Sequence, residues 1–179
     1  MLTKKQKIVL FCGLVTILIG IDQLTKEIAR DRLKGKDPVI FLNDFFRFDY
    51  AENTGAFLSF GDDWPPAVSF WLMNMLPLVL LIGIMVFALR KIAASRFSHL
   101  LPYLLIAAGG LGNITDRLLF NHHVTDFMNM GIGQLRTGIF NVADLYVTGG
   151  AIVLLYQQFG TRKKPVSPEH PVRRNSGLH

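Results

Sequence analysis

Four long apolar runs, separated by polar stretches, set the pattern of this chain. The first runs from Ile8 to Ile21 and stops at Asp22. The second is free of charge from Trp64 to Leu89. The third runs from Phe97 to Thr115 and stops at Asp116. The fourth opens at Asp144 and continues uncharged from Leu145 to Phe159. A spanning helix needs about 20 residues at about 1.5 Å rise each. The second run meets that length alone. The first has 14 uncharged residues, about 21 Å of helix against a hydrocarbon core of about 30 Å, and the fourth has 15. To span, these two helices must include the turns that carry Asp22, Lys26 and Asp144. Those groups are therefore expected inside the apolar slab or at its edge.

The first run resembles a signal peptide, with Lys4, Lys5 and Lys7 ahead of it. No small-x-small cleavage site follows; Asp22, Gln23 and Lys26 do. Val9, Leu10 and Phe11 before Cys12 do not form a lipoprotein cleavage box, so the run reads as a retained anchor. Between the first two runs the pattern changes period. Phe46, Phe48 and Tyr50 alternate with Arg47 and Asp49, the period of a strand. Asn53-Thr54-Gly55 is a turn signal, and Ala56 to Phe60 is the expected return strand. Trp64 with Pro65-Pro66 marks re-entry at the membrane interface. Residues 118–138 read as a second loop, in which Phe127, Met128, Met130 and Ile132 dip into that interface. The expected fold is an all-α membrane protein of four transmembrane helices with a small extracytoplasmic β element and an outer-loop segment. Residues 1–160 form one domain. Residues 161–179, with Pro165, Pro168 and Pro171, form a basic disordered tail.

Composition agrees: half of the 179 residues are apolar and only 18% are charged, against about 25% in soluble domains. The net charge of +6 raises nucleic acid as a partner, but its distribution argues otherwise. Lys4, Lys5, Lys7, Arg90, Lys91, Arg96, Arg162, Lys163, Lys164, Arg173 and Arg174 fall on one side with a single acid, Glu169. That asymmetry places both termini and the 90–98 connection in the cytoplasm. Membrane lipid is the partner it implies. With one cysteine, Cys12, no intrachain disulfide forms, and that residue reads as an apolar filler.

This topology brings Asp22, Asp116 and Asp144 to the outer helix ends, with Asp126 and Asn53 in outer loops. Carboxylates near lipid are costly and usually line a functional cavity. Singly, each has a plainer explanation. Asp22 and Lys26, spaced i, i+4, suit an interfacial ion pair. Asn141 and Asp144, spaced i, i+3, suit helix capping. Asn113 and Asp116 repeat that spacing, while Gly109, Gly110, Gly112 and Gly149-Gly150 suit close helix packing. Converging on one membrane face, the acids and amides point to chemistry. His122 and His123 are adjacent and lack further ligands at metal spacing, so neither a metal nor another cofactor is expected. No Gly-x-Ser-x-Gly, His-Glu-x-x-His or phosphate loop occurs. A pair of carboxyls sharing a proton remains, and such a pair hydrolyses peptides without a covalent intermediate. The residues alone do not decide which two acids form it. A proton-coupled carrier is the rival reading, against which stand the lack of an internal repeat and acids at one face rather than the midplane. A structural scaffold would not need converging acids.

Five segments in order then carry a family resemblance: Asp22-x-x-x-Lys26, Tyr50-Ala-Glu-Asn-Thr-Gly-Ala56, Gly112-Asn-Ile-Thr-Asp-Arg117, Val124-Thr-Asp-Phe127 and Phe140-Asn-Val-Ala-Asp144. Across residues 5–160 the chain resembles the lipoprotein signal peptidases, or type II signal peptidases. The resemblance implies an aspartyl endopeptidase of the bacterial cytoplasmic membrane, its site on the outer face. It implies that Asp126 and Asp144 are the catalytic pair. Asp22, Lys26, Asn53, Gly55, Asn113, Asp116, Arg117 and Asn141 match positions that shape the site or bind substrate. It implies diacylglyceryl-prolipoprotein substrates, cut before the lipidated Cys, a monomeric enzyme and block by globomycin-type inhibitors. Phe57, where the family often has a small residue, and an extra residue between Arg117 and Asp126 depart from the pattern.

Overall fold

The computed structural model describes residues 2–54 and 65–160. In chain order it has α1 (Lys4–Leu33), β1 (Val39–Phe41), β2 (Phe46–Asn53), a one-turn α2 (Pro66–Ser69), a π-helical turn Phe70–Met75 and α3 (Leu76–Lys91). A 3-10 turn Phe97–Leu100 leads into α4 (Leu101–Leu119), followed by β3 (Val124–Ile132), β4 (Leu135–Arg136) and α5 (Val142–Gly160).

A reciprocal cap starts α1: the Thr3 side chain accepts from the Gln6 amide, and the Gln6 side chain accepts from that of Thr3. The helix does not end at Asp22 but runs 30 residues, about 45 Å, longer than a bilayer core. Lys4–Leu33, Phe70–Lys91 and Phe97–Leu119 are each long and apolar enough to cross a membrane. The 19-residue α5 carries Asp144 in its first turn. Outward faces are apolar: Val9, Ile17 and Leu24 on α1, Val79, Leu80 and Ile82 on α3, and Ile152 and Leu155 on α5 are exposed, as a lipid solvent allows. Cys12 is exposed on the same surface.

Small residues bring α4 against its neighbours. A Cβ at Gly109 would strike the Ala143 carbonyl, and one at Gly150 would lie 2.9 Å from that of Pro102. Gly149, by contrast, has open space around it, so only one of that pair serves packing. At the end away from β1–β4, Lys7 Nζ donates to the carbonyls of Ile92, Ala93 and Ser95 at 3.2, 3.4 and 2.7 Å. It thereby ties the start of α1 to the connection after α3.

The strands form one antiparallel sheet in the order β1-β2-β3-β4. Phe41 pairs with Phe46, Phe46 with Met130, and Ala51 with Asp126. Between the pairs Phe48–Met128 and Ala51–Asp126, β2 has one residue more than β3, a bulge beside the acidic residue. The β2 strand thus pairs with β1 and β3; the expected return strand Ala56 to Phe60, with Trp64 and Gly55, lies outside the described residues, as do residues 161–179. The segment read as a second loop departs from expectation. It contains the strand β3, in which Phe127 and Met128 are 6% and 8% exposed, packed with Ala29 and Phe140. The cause is position: β3 packs against α1, α4 and β2 at once. Ile132, at its end, is exposed.

Candidate active site

A buried ion cluster holds the helices in register. Lys26 Nζ lies 2.9 Å from Asp22 Oδ2 and 3.2 Å from Asp116 Oδ2, all three side chains with no exposure. It also donates to Asn113 Oδ1 at 2.9 Å. Buried charges are stable only when their remaining hydrogen-bonding capacity is met, and here it is met from four elements. Asp22 Oδ1 accepts from the Ala143 amide at 2.9 Å, fixing α5 on α1. Asp116 Oδ2 accepts from the Thr125 amide at 3.0 Å, fixing β3 on α4. Gln23 Nε2 reaches Asp22 Oδ2, the Gly112 carbonyl and Asp116 Oδ1 at 3.2, 3.1 and 3.0 Å.

The second pair of acids sits beside this cluster and is held by amides. Asp126 is buried. Its Oδ1 accepts from Asn141 Nδ2 at 2.6 Å and its Oδ2 from Asn53 Nδ2 at 3.0 Å. Half-buried Asp144 accepts at Oδ1 from Asn113 Nδ2 at 2.9 Å, and at Oδ2 from the Asn141 backbone amide at 3.0 Å. The Asp144 amide returns a bond to Asn141 Oδ1 at 3.0 Å. Asn141 and Asp144 therefore make a reciprocal capping box, with the carboxyl at the third helical position of α5. Asn141 Nδ2 also lies 3.1 Å from Asn113 Oδ1, so one asparagine contacts both Asp126 and Asp144. The Lys26 ammonium can only donate. It holds the oxygen of Asn113 toward itself and leaves the amide nitrogen for Asp144.

Burial, reinforced by the neighbouring charge of Asp144, pushes the Asp126 carboxyl up to about 7; the bonds from Asn53 and Asn141 oppose the shift. Half-buried Arg117 stands where its charge acts on Asp126, Asp144 and Asp116. Among the described residues no group of three His, Cys, Asp or Glu could hold a metal ion. His122 packs its ring 5.8 Å from that of Phe70, and His123 Nδ1 lies 3.0 Å from the Phe120 carbonyl.

The structure thus brings together Asp22, Lys26, Asn53, Asn113, Asp116, Arg117, Asp126, Asn141 and Asp144. Gly55 falls outside the described residues. The sequence reading missed Gln23, Thr125 and the Ala143 amide. A glutamine inside an apolar helix was the one signal for Gln23; a backbone amide leaves none.

The sequence profile described as Signal peptidase (SPase) II matches residues 14–160. A lipoprotein signal peptidase of Chlorobium phaeobacteroides is 34% identical over 177 residues, covering 94% of this chain and 98% of that protein. Another, of Xylella fastidiosa, is 34% identical over 155 residues, covering 84% and 89%. Among solved structures, a bacterial membrane enzyme determined by the in meso method at 2.3 Å resolution superposes with a TM-score of 0.67 at 26% identity. That match covers 88% of this chain and 94% of the other.

Proposed function

Because this chain belongs to the signal peptidase II family, we propose that Asp126 and Asp144 are the catalytic carboxyls of a peptidase acting on diacylglyceryl-modified prolipoproteins. The chain is a bacterial membrane peptidase that removes signal peptides from lipoproteins. The family leaves no place for the rival carrier reading. One observation carries the choice of acids: Asn141 bonds to both Asp126 and Asp144, whereas Asp22 and Asp116 are locked on Lys26.

In this reading Asp126 holds the proton at rest. Asp144 takes a proton from a water molecule as its oxygen attacks the scissile carbonyl carbon. Asp126 gives its proton to the carbonyl oxygen, and a tetrahedral diol forms. The C–N bond then breaks as Asp144 passes the proton it took from water to the amine of the lipidated Cys, Asp126 regains a proton from the diol, and the signal peptide leaves as a carboxylic acid that ionises in water. Asn53 holds Asp126, and Asn113 and Asn141 hold Asp144. The Asp22–Lys26–Asp116 cluster braces those amides, and Arg117 offsets the negative charge. No metal or other cofactor enters this scheme. We read α5 as the fourth span, both termini as cytoplasmic, and the site as facing outward from the cytoplasmic membrane of a monomeric enzyme. Globomycin-type inhibitors would occupy this site.

The substrate class follows from depth. Asp144 opens a helix whose later turns are apolar, so the site lies near the membrane surface. A diacylglyceryl-Cys is already anchored there, each buried methylene contributing about 0.8 kcal/mol. Lipidated and unlipidated forms of one prolipoprotein, compared in the same detergent micelles, test this. The lipidated form is expected to be cut at least about tenfold faster, since 1.4 kcal/mol suffices for that ratio. Equal rates would reject the substrate assignment.

A further inference from the structure

A cavity of about 460 Å³ opens at the end of the bundle remote from the carboxyls. Its polar lining comes from Lys91, Ser95, His99, Tyr103, Gln157 and Gln158, where α3 ends, α4 begins and α5 ends. Among the described residues no Asp or Glu lines it. Carbonyls that would repel an anion are engaged elsewhere: Lys7 takes those of Ile92, Ala93 and Ser95, and Gln157 Nε2 takes that of Ser98 at 3.1 Å. The floor is apolar. The Phe87 and Tyr103 rings lie 5.4 Å apart, and Lys91 Nζ is held 5.7 Å from the centre of the Phe87 ring. The apolar faces of Phe87, Ile152 and Leu155 are exposed on α3 and α5.

We propose that this cavity binds the phosphate headgroup of an anionic phospholipid through Lys91 and His99, with the acyl chains lying along the exposed faces of α3 and α5. Basic pockets between spanning helices suit such headgroups. A cation, neutral donors and an apolar floor in one cavity at a helix-end level match a lipid, whose phosphate and chains are covalently joined. A free phosphate would use only the polar half. With the orientation proposed above the lipid belongs to the cytoplasmic leaflet; the binding itself does not rest on that orientation.

Native mass spectrometry of the full chain, titrated in micelles with phosphatidylglycerol or phosphatidylcholine, tests the proposal. The wild type is expected to retain phosphatidylglycerol at several-fold lower concentration. The Lys91→Gln/His99→Gln variant should lose about fivefold in that affinity while cleaving lipidated prolipoprotein at the wild-type rate. A Lys5→Gln/Arg90→Gln variant, altered outside the cavity, should keep the preference. Equal retention of the two lipids by the wild type would overturn the proposal. So would an equal loss in the two double variants, which would mean general surface charge. Displacement of the lipid by inorganic phosphate at tens of millimolar would show a free-anion site instead. Because cleavage is read separately, loss of lipid binding and loss of the peptidase reading are told apart.

Discussion

Asn113 is where the buried ions meet the acids proposed as catalytic, its oxygen on Lys26 and its nitrogen on Asp144. Replacing either acid removes a proton carrier without removing the brace. Asp126→Asn and Asp144→Asn should each lower kcat roughly 10⁴-fold, and the double variant should be little worse, as members of one unit behave. Single-turnover cleavage of a lipidated substrate measures this, and near-normal turnover by either single variant would reject the pair. The proton on Asp126 adds a pH dependence. With its carboxyl raised from 3.8 to about 7, the folded form holds a proton that the unfolded chain has lost between those values. Stability therefore falls as pH rises through that window, and the loss is complete above about 7. Thermal midpoints should drop from pH 5 to pH 8 in the wild type and drop less in Asp126→Asn, with a falling limb of kcat near pH 7. A midpoint difference independent of pH would sink this reading. At this scale the sequence was legible where spacing encodes proximity: Asp22 with Lys26, and Asn141 with Asp144. It was silent on Gln23 and Thr125, whose partner Asp116 is 93 and 9 positions away and is reached only through folding.

Elements were legible where a single face repeats. All four apolar runs became helices, and α1 passes through Asp22 and Lys26, as a span requires, and goes on to Leu33. Its last turns carry Glu27, Arg30, Asp31 and Arg32, and the Arg30–Glu27 ion pair, three residues apart, supports the helix there. The strand β3 was read as a loop because residues from Val124 to Asn129 are buried on both faces, and a strand buried on both faces shows no alternation. Nor does sequence spacing reveal that β2 pairs with a strand more than 70 residues later. Helix contact at the site hinges on Gly112: a Cβ there would lie 2.5 Å from Asp22 Oδ2 and 3.4 Å from the Ala143 Cβ. Gly112→Ala should cost about 1–3 kcal/mol and slow cleavage, because it pushes α1 and α5 off α4. Gly83→Ala, with nothing within 4 Å, should be neutral or mildly stabilising. Thermal unfolding of the two purified variants compares them, and equal midpoints would show that α4 tolerates the extra methyl.

Among the described residues one end of the molecule carries Lys4, Lys5, Lys7, Arg90, Lys91 and Arg96 with no acid, whereas every acid lies toward the end with β1–β4, mixed with bases there, and that asymmetry predicts its orientation. In a Cys12→Ala background, cysteine at Asp37 should react with an impermeant thiol reagent outside intact cells, and cysteine at Ser95 should not. Outside labelling at position 95 would invert the topology. The same geometry bears on how the chain is made. Asp22 and Lys26 are partners four residues apart on one helix, whereas Asp116, Asn113 and Ala143 join them from positions synthesised much later. The stretch of a nascent α1 from Ile8 to Lys26 can therefore enter lipid with no net charge, its acid and base already matched before the ribosome has made the rest of the site. The emerging α4 and α5 then add partners to a pair that was never left bare, and the buried cluster is assembled without stranding a lone charge in the bilayer.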